Sequence, residues 1–122
     1  MSLRRIRLEM AREPAFPNGN PNRGYVLVLP LDADHKIDAA QWQKDPSACT
    51  VERFWDGEKV ELGYLDRNRR GQWVFDYDFD DDADDEEGFR LGEHAFRVGE
   101  YVSIADHEGT MHTFTVVATE PA

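Results

Sequence analysis

The sequence predicts a small, mainly β domain, and three observations carry that prediction. Six or seven short apolar or alternating segments are separated by turn signals every eight to twelve residues, which is typical of a small barrel or sandwich. Only residues 39–45 carry the pattern of a helix. The 122 residues, 40% of them hydrophobic, suit one domain with its own core. We therefore expect a single all-β domain over residues 1–122, a small barrel of the SH3-like kind.

The first two strands follow from apolar patterning. In residues 3–11, Ile6, Leu8 and Met10 alternate with charged residues, so one face of this strand should be buried. A loop rich in Pro, Asn and Gly comes next. GYVLVLPL then has the continuous aliphatic character of a buried strand, and Pro30 should end it.

The single predicted helix is short. Asp38 is a suitable N-cap, and Gln41 three residues later completes a capping box. Pro46 closes the segment just beyond its end. We expect Trp42 to dock this helix onto the sheet.

A hairpin is predicted around Asp-Gly at positions 56–57, which is a strong turn signal. If these two residues alone form the turn, Val51 faces Leu62 and Cys49 faces Tyr64. That register gives a coherent apolar face and makes Cys49, the only cysteine, a core residue.

The last hairpin has a different turn. A three-residue loop, His-Glu-Gly, with Gly109 left-handed would pair Asp106 with Thr110. In this register His112 faces Ile104 on the inner face of the sheet. A two-residue loop would mix apolar and polar side chains on both faces, so the longer loop is preferred.

The stretch WVFDYDFDDDADDEE, residues 73–87, is the most unusual part of the chain. Nine of the twelve residues 76–87 are acidic and none is basic, so the remaining residues carry only −2 of the formal net charge of −11. Because side chains alternate along a strand, the aromatic residues should share the buried face and Asp76 should lie on the solvent-exposed face. We expect residues 76–88 to form an acidic loop within the domain.

Calcium binding is one interpretation of this loop. Acidic residues recur at alternate positions as in an EF-hand loop, and hard cations prefer carboxylate oxygens. Asp81, however, stands where the sharp turn needs glycine, and no amphipathic helices flank the loop. The predicted Ca²⁺ ligands, should this alternative hold, are Asp76, Asp78, Asp80, Asp82 and Glu87. No other cofactor is expected.

An acidic docking surface is the favoured interpretation, because blocks of like charge often serve as interaction segments. It predicts a basic protein partner and binding that weakens with salt. The expected interaction residues are the loop acids and two exposed aromatic residues: Asp80, Asp81, Asp82, Asp84, Asp85, Trp55 and Trp73. The leading functional prediction is thus a non-catalytic binding module.

A small enzyme is the third alternative. His112 is predicted on the inner face near the hairpin turn, where it could combine with His107, His94 or Asp106 in an acid–base or metal site. No HExxH, P-loop, GxGxxG or GxSxG pattern supports catalysis, and no nucleophile is indicated.

Composition excludes several classes. Strong negative charge argues against binding nucleic acid, whose phosphates require cations. One cysteine allows no internal disulfide. Arginines stand where a signal peptide needs apolar residues, and no apolar run has the length of a membrane span. We expect a cytoplasmic protein without membrane association.

The segment FRLGEHAFRVGEYVSI and the following strand HTFTVV resemble small uncharacterised proteins of bacterial origin. The resemblance is confined mainly to the C-terminal third. It implies a bacterial source and no activity, cofactor or functional residue.

Overall fold

A computed structural model describes residues 3–77, 86–87, 91–106 and 108–122, with the backbone alone for residues 86–87. Among these residues, eight strands form one antiparallel sheet in the order β6-β5-β4-β3-β2-β1-β8-β7. The strands are β1 Leu3–Met10, β2 Asn20–Pro30, β3 Thr50–Trp55, β4 Glu61–Arg67, β5 Trp73–Asp76, β6 Glu86–Glu87, β7 Tyr101–Ala105 and β8 Met111–Pro121. The helix α1 spans Ala39–Lys44, and short 3-10 helices span Pro46–Ala48 and Leu91–Glu93.

The strand order is a meander that returns on itself. Each strand from β1 to β5 pairs with the next one in sequence, β7 pairs with β8, and β8 pairs back onto β1. The sheet therefore curls into a half-barrel, and its two edges are β6 and β7. The prediction of a small, mainly β barrel with one short helix is confirmed. The narrower SH3-like description stays a prediction.

Side chains fill the inside of the curled sheet. Ile6, Leu8 and Met10 of β1 are buried, as their alternation predicted. Large rings contact each other at the centre. The Tyr25 ring is tilted against that of Phe75, with centroids 5.2 Å apart, and lies edge-on to that of Phe114, with centroids 5.1 Å apart. The concave side of the half-barrel is therefore a packed hydrophobic core.

The helix α1 begins as predicted. The Asp38 side chain accepts the backbone N–H of Gln41 at 3.2 Å, which satisfies one of the unpaired donors at the helix start. Trp42 packs against the core and donates its indole N–H to the Leu65 carbonyl at 2.9 Å. The predicted docking role of Trp42 is therefore confirmed.

The β3–β4 register differs by one residue from the predicted one. Val51 lies opposite Gly63 and not opposite Leu62, whose side chain is 69% exposed. The turn includes Glu58, whose N–H donates to the Trp55 carbonyl at 2.9 Å. Cys49 is buried, as predicted.

Gly63 explains this register. A Cβ at Gly63 would lie 2.4 Å from the Asp76 carbonyl oxygen and 2.9 Å from Cδ1 of Tyr77. Only glycine allows β4 and β5 to approach this closely at an inward position. The glycine therefore faces inward, and a one-residue shift turns Leu62 to the outside.

The β7–β8 hairpin has the predicted register. Ile104 lies opposite His112, and the Asp106 N–H donates to the Thr110 carbonyl at 2.9 Å. Gly109 has φ +83°, the left-handed conformation that the three-residue loop requires.

Candidate functional site

His112 forms hydrogen bonds with two carboxylates at one end of the barrel. Its Nδ1 lies 3.0 Å from Oε2 of Glu13, and its Nε2 lies 2.9 Å from Oδ2 of Asp106. The three side chains are only 13%, 23% and 18% exposed for His112, Glu13 and Asp106. Because an ionised carboxylate only accepts hydrogen bonds, this geometry fits a doubly protonated imidazolium. We call these three residues the His112 bridge.

Local turns position both carboxylates. Oδ1 of Asp106 accepts the backbone N–H groups of Glu108 and Thr110 at 2.9 Å each, which leaves Oδ2 for His112. Glu13 sits in the β1–β2 connection and exchanges two backbone hydrogen bonds with Phe16. The bridge therefore joins the β1–β2 connection to the turn of the β7–β8 hairpin.

Electrostatics favour the charged form of every member whose pKa is shifted. Burial lowers the pKa of His112, but the hydrogen bonds to Glu13 and Asp106 outweigh it and raise the pKa above its usual value. Burial raises the pKa of Asp106. The hydrogen bonds from His112 and from the two backbone N–H groups outweigh that effect and lower the pKa.

A cationic and aromatic group adjoins the bridge. The ring of Trp55 lies 5.6 Å from that of His112 at an interplanar angle of 67°. The guanidinium groups of Arg53 and Arg23 lie 4.3 Å and 5.1 Å from the Trp55 ring centroid, in cation–π contact. Arg23 also pairs with Asp56, and this hydrogen bond is the main cause of the lowered pKa of the Asp56 carboxyl.

The His112 bridge gives little support to acid–base catalysis. Both ring nitrogens are engaged, so neither is available to accept a proton from a substrate. Of the predicted partners, Asp106 contacts His112, whereas no hydrogen bond joins His94 to it within the described ranges. His107 lies outside the described residues. The arrangement is suited to holding two loops together.

Trp55 and Trp73 are not the exposed aromatic residues that the sequence suggested. They are 8% and 5% exposed. Trp55 is covered by the arginines described above. Trp73 packs edge-on against Trp42 with ring centroids 5.0 Å apart, and Arg67 lies over it at 4.2 Å. The packing of α1 and of long cationic side chains hides both indoles.

Described residues at both ends of the predicted acidic loop belong to strands. Asp76 belongs to β5 and is 9% exposed, so the prediction of a wet face at this position is wrong. It lies opposite Tyr64, in a depression of about 320 Å³ that Pro46 and Ser47 also line. At the other end, the backbone of Glu87 belongs to β6.

The remaining predicted ligands and docking residues lie outside the described residues: Asp78, Asp80, Asp81, Asp82, Asp84 and Asp85. Calcium binding and an acidic docking loop therefore stay predictions. Among residues that the structure does describe, no group of three or more His, Cys, Asp or Glu side chains could hold a metal ion.

Sequence reasoning missed Glu13 as a partner of His112. Glu13 stands in a loop rich in Pro and Asn, 99 residues away along the chain, and no spacing signal connects the two. The hairpin register alone gave the inward position of His112 and the proximity of Asp106.

The outer face of the β7–β8 hairpin is a second candidate surface. Its seven outward side chains include no charged residue, although 32% of the chain is charged. Three of them are large and exposed: Tyr101 at 59%, Met111 at 49% and Val117 at 38%. We call this set the hairpin face: Tyr101, Ser103, Ala105, Met111, Thr113, Thr115 and Val117.

Comparison with protein-family models, curated proteins and solved structures finds no match. The described part of the chain has no helix of the length and apolarity that crossing a membrane requires.

Proposed function

We propose that the protein is a non-catalytic interaction module that binds a basic polypeptide segment through the hairpin face. The observation that carries the proposal is the concentration of exposed apolar side chains there. Val98, 64% exposed, precedes β7 and adds to the end of the face that holds Tyr101 and Val117. The hydroxyl pair of Ser103 and Thr113 separates Met111 from this end, so the apolar group is formed by Val98, Tyr101 and Val117. Exposed apolar side chains grouped in this way on a highly charged protein are typical of an interaction site.

Charge around the hairpin face supports a basic partner. Residues 91–122 contain five acids and a single base, Arg97. Glu100 and Glu108 are exposed near its ends. Glu120 lies opposite Arg5 of the neighbouring β1, and Arg7 lies opposite Ala118, so the acidic rim lies at the two ends of the hairpin and not along β1. A partner segment with apolar side chains flanked by lysine or arginine would complement both the apolar face and its acidic rim.

The edge position of β7 supports binding in an extended conformation. The hydrogen bonds from Val116 N–H to the Glu100 carbonyl and from Asp106 N–H to the Thr110 carbonyl show that even-numbered residues bond to β8. By alternation, the backbone groups of Tyr101 and Ser103 point away from β8. Within the described residues no strand pairs with that side of β7. The two-residue β6 lies near β7. An extended peptide can therefore add as a further strand only along the part of this edge that β6 leaves open.

The test is a peptide titration followed by amide NMR. The probes are two ten-residue peptides in which valine and tyrosine alternate with lysine in one and with glutamate in the other. We expect the lysine peptide to shift β7 and β8 amides, with affinity that falls between 50 and 300 mM salt by about tenfold or more. The glutamate peptide should leave them unchanged.

A double variant and a matched control locate the site. Tyr101→Ser with Val117→Ser should weaken binding of the lysine peptide. Leu62→Ser removes an apolar side chain from β4 that is more exposed than Tyr101 or Val117, and it should leave binding unchanged. Equal binding of the glutamate peptide, or an equal loss in the Leu62 variant, would contradict the proposal.

A further inference from the structure

The end of the barrel opposite the His112 bridge has an open depression of about 1000 Å³. Its walls come from four elements: the start of β1, the loop after β2, helix α1 and the end of β8. Volumes in this range are typical of small-molecule sites. We call it the Arg4 depression, after the only Lys or Arg side chain among its described lining residues.

Arg4 shares the inward face of β1 with Ile6 and Leu8, since strand side chains alternate. Its guanidinium is part-buried and donates one hydrogen bond, from Nη2 to Oγ1 of Thr119 at 2.8 Å. No carboxylate of the described residues lies within 4 Å of it. A part-buried guanidinium with neutral contacts is a good site for a carboxylate, which it can bind with two parallel hydrogen bonds.

Hydrogen bonds fix the conformation of the loop after β2, which lines the edge of the Arg4 depression. Oδ1 of Asp32 accepts the N–H groups of Asp34 and Lys36 at 2.8 and 3.1 Å. His35 has φ +63°, which non-glycine residues seldom adopt, and its carbonyl accepts the N–H of Phe96 at 2.8 Å. These bonds on both sides keep a conformation that is unfavourable by itself.

Gln41 supplies an unused acceptor. It lines the depression from α1, and its Oε1 is buried without a hydrogen-bond donor in the part of the chain that the structure describes. A buried acceptor without a donor is unfavourable, and a rotation of the side chain can turn this oxygen toward the depression. Asp38, at the start of the same helix, contributes a carboxylate to the lining.

We propose that the Arg4 depression binds a small zwitterion of the α-amino-acid class. The carboxylate of the ligand pairs with Arg4, and its ammonium group faces Asp32, Asp38 and Gln41. The carbon side chain lies against the apolar part of the lining, Leu3 and Leu31. A simple anion is disfavoured because Asp32 and Asp38 line the same depression as Arg4, and a simple cation is disfavoured by Arg4 itself. One oxygen of each carboxylate accepts backbone N–H groups, which leaves the other oxygen for the ligand.

The test is a titration of the full chain, followed by amide NMR, with L-leucine, L-lysine and L-glutamate as separate probes. Acetate and methylammonium serve as probes with one charge each. We expect at least one amino acid to saturate with a dissociation constant below about 10 mM and to shift amides of residues 31–41. Neither acetate nor methylammonium should saturate in that range.

Variants separate specific binding from general charge effects. Arg4→Gln should weaken amino-acid binding by about tenfold or more. Arg5→Gln, at the adjacent exposed position on the outer face, should leave it unchanged. Gln41→Leu removes the buried acceptor with little change of volume, so the fold should be kept and binding weakened.

Three results would overturn the inference: no saturable binding of any of the three amino acids, acetate binding as tightly as they do, or equal losses in the Arg4 and Arg5 variants. Unfolding midpoints of each variant show whether a loss reflects misfolding. Should Arg4→Gln fail to fold, unchanged binding in Gln41→Leu overturns the inference by itself. The hairpin face lies elsewhere, so failure here leaves the proposed function standing.

Discussion

Replacing His112 with leucine should lower the free energy of unfolding by about 2–4 kcal/mol at pH 6. Hydrogen bonds that involve charged groups contribute roughly 1.5–3 kcal/mol each, and the variant loses two of them. It also leaves Glu13 and Asp106, which are 23% and 18% exposed, without their cationic partner. Because both carboxylates are partly exposed, water solvates them after the imidazole is removed. The loss of unfolding free energy therefore stays near the lower end of the value expected for two such hydrogen bonds.

The same contribution should depend on pH in a defined direction. The folded-state pKa of His112 is raised, so the bridge stabilises fully below the unfolded pKa near 6.5 and fades as pH rises through the folded value. Asp106 has a lowered pKa, so its contribution is lost only in acid, below its usual value of 3.8. Burial raises the pKa of Cys49 to about 11, so its effect begins only above 9.0. The interval from pH 6.5 to 9 therefore isolates His112 among the shifted groups.

Urea unfolding at half-unit steps from pH 5.5 to 9 measures this effect. Wild-type stability should fall across the interval, and His112→Leu should be lower at pH 6 and nearly flat. Asp106→Asn keeps an acceptor for the turn but removes one charge, so the fall should move to lower pH. Glu108→Gln, in the same turn, is the control and should keep the wild-type slope. A His112→Leu curve parallel to wild type would refute the reasoning.

Three further changes test the packing. Gly63→Ala should lower the free energy of unfolding, measured in urea, by about 2–3 kcal/mol, because the added Cβ would lie 2.4 Å from the Asp76 carbonyl oxygen. A variant as stable as wild type would contradict the observed register. Native Cys49 should react with iodoacetamide at pH 8 at least about 100-fold more slowly than in urea, since its pKa is about 11 against 9.0 unfolded; equal rates would show that the thiol is accessible. Trp42→Phe should cost about 1–2 kcal/mol through loss of its bond to Leu65, and no change would remove that docking contact.

The two hairpins show what sequence could and could not provide about register. At residues 106–110 the only arrangement that kept apolar residues on one face also placed Gly109 left-handed, so two local constraints agreed. At residues 55–58 the Asp-Gly pair satisfied the local rule with either register. The deciding constraint was the closeness of Gly63 to Asp76 on a third strand. Such a contact between distant segments leaves no trace in a local pattern.

At the candidate sites too, the sequence predicted what local pattern decides and missed what contacts between distant segments decide. Inward placement of His112 followed from strand parity and from the turn, which are local. The pairing with Glu13 depends on β1 lying beside β8, a long-range consequence of the meander closing on itself. Burial of Trp55 and Trp73 likewise depends on side chains from other elements that cross over them. Strand parity indicates which face a residue occupies, but it does not indicate what covers that face.

The distribution of polar groups along the inner face limits where function can reside. The middle of the barrel is filled by rings and aliphatic side chains, so no ligand can occupy it without displacing the core. Inward polar side chains of β1 and β8 instead lie toward opposite ends, with Arg4 at one and His112 at the other. At the His112 end the cation is hydrogen-bonded to a carboxylate at each of its ring nitrogens. At the Arg4 end, among the described residues, the guanidinium donates to the Thr119 hydroxyl and has no carboxylate partner. Asp32 and Asp38 line the same depression. Because an unmatched charge favours binding and a matched one favours stability, the Arg4 end is the better candidate for a small ligand.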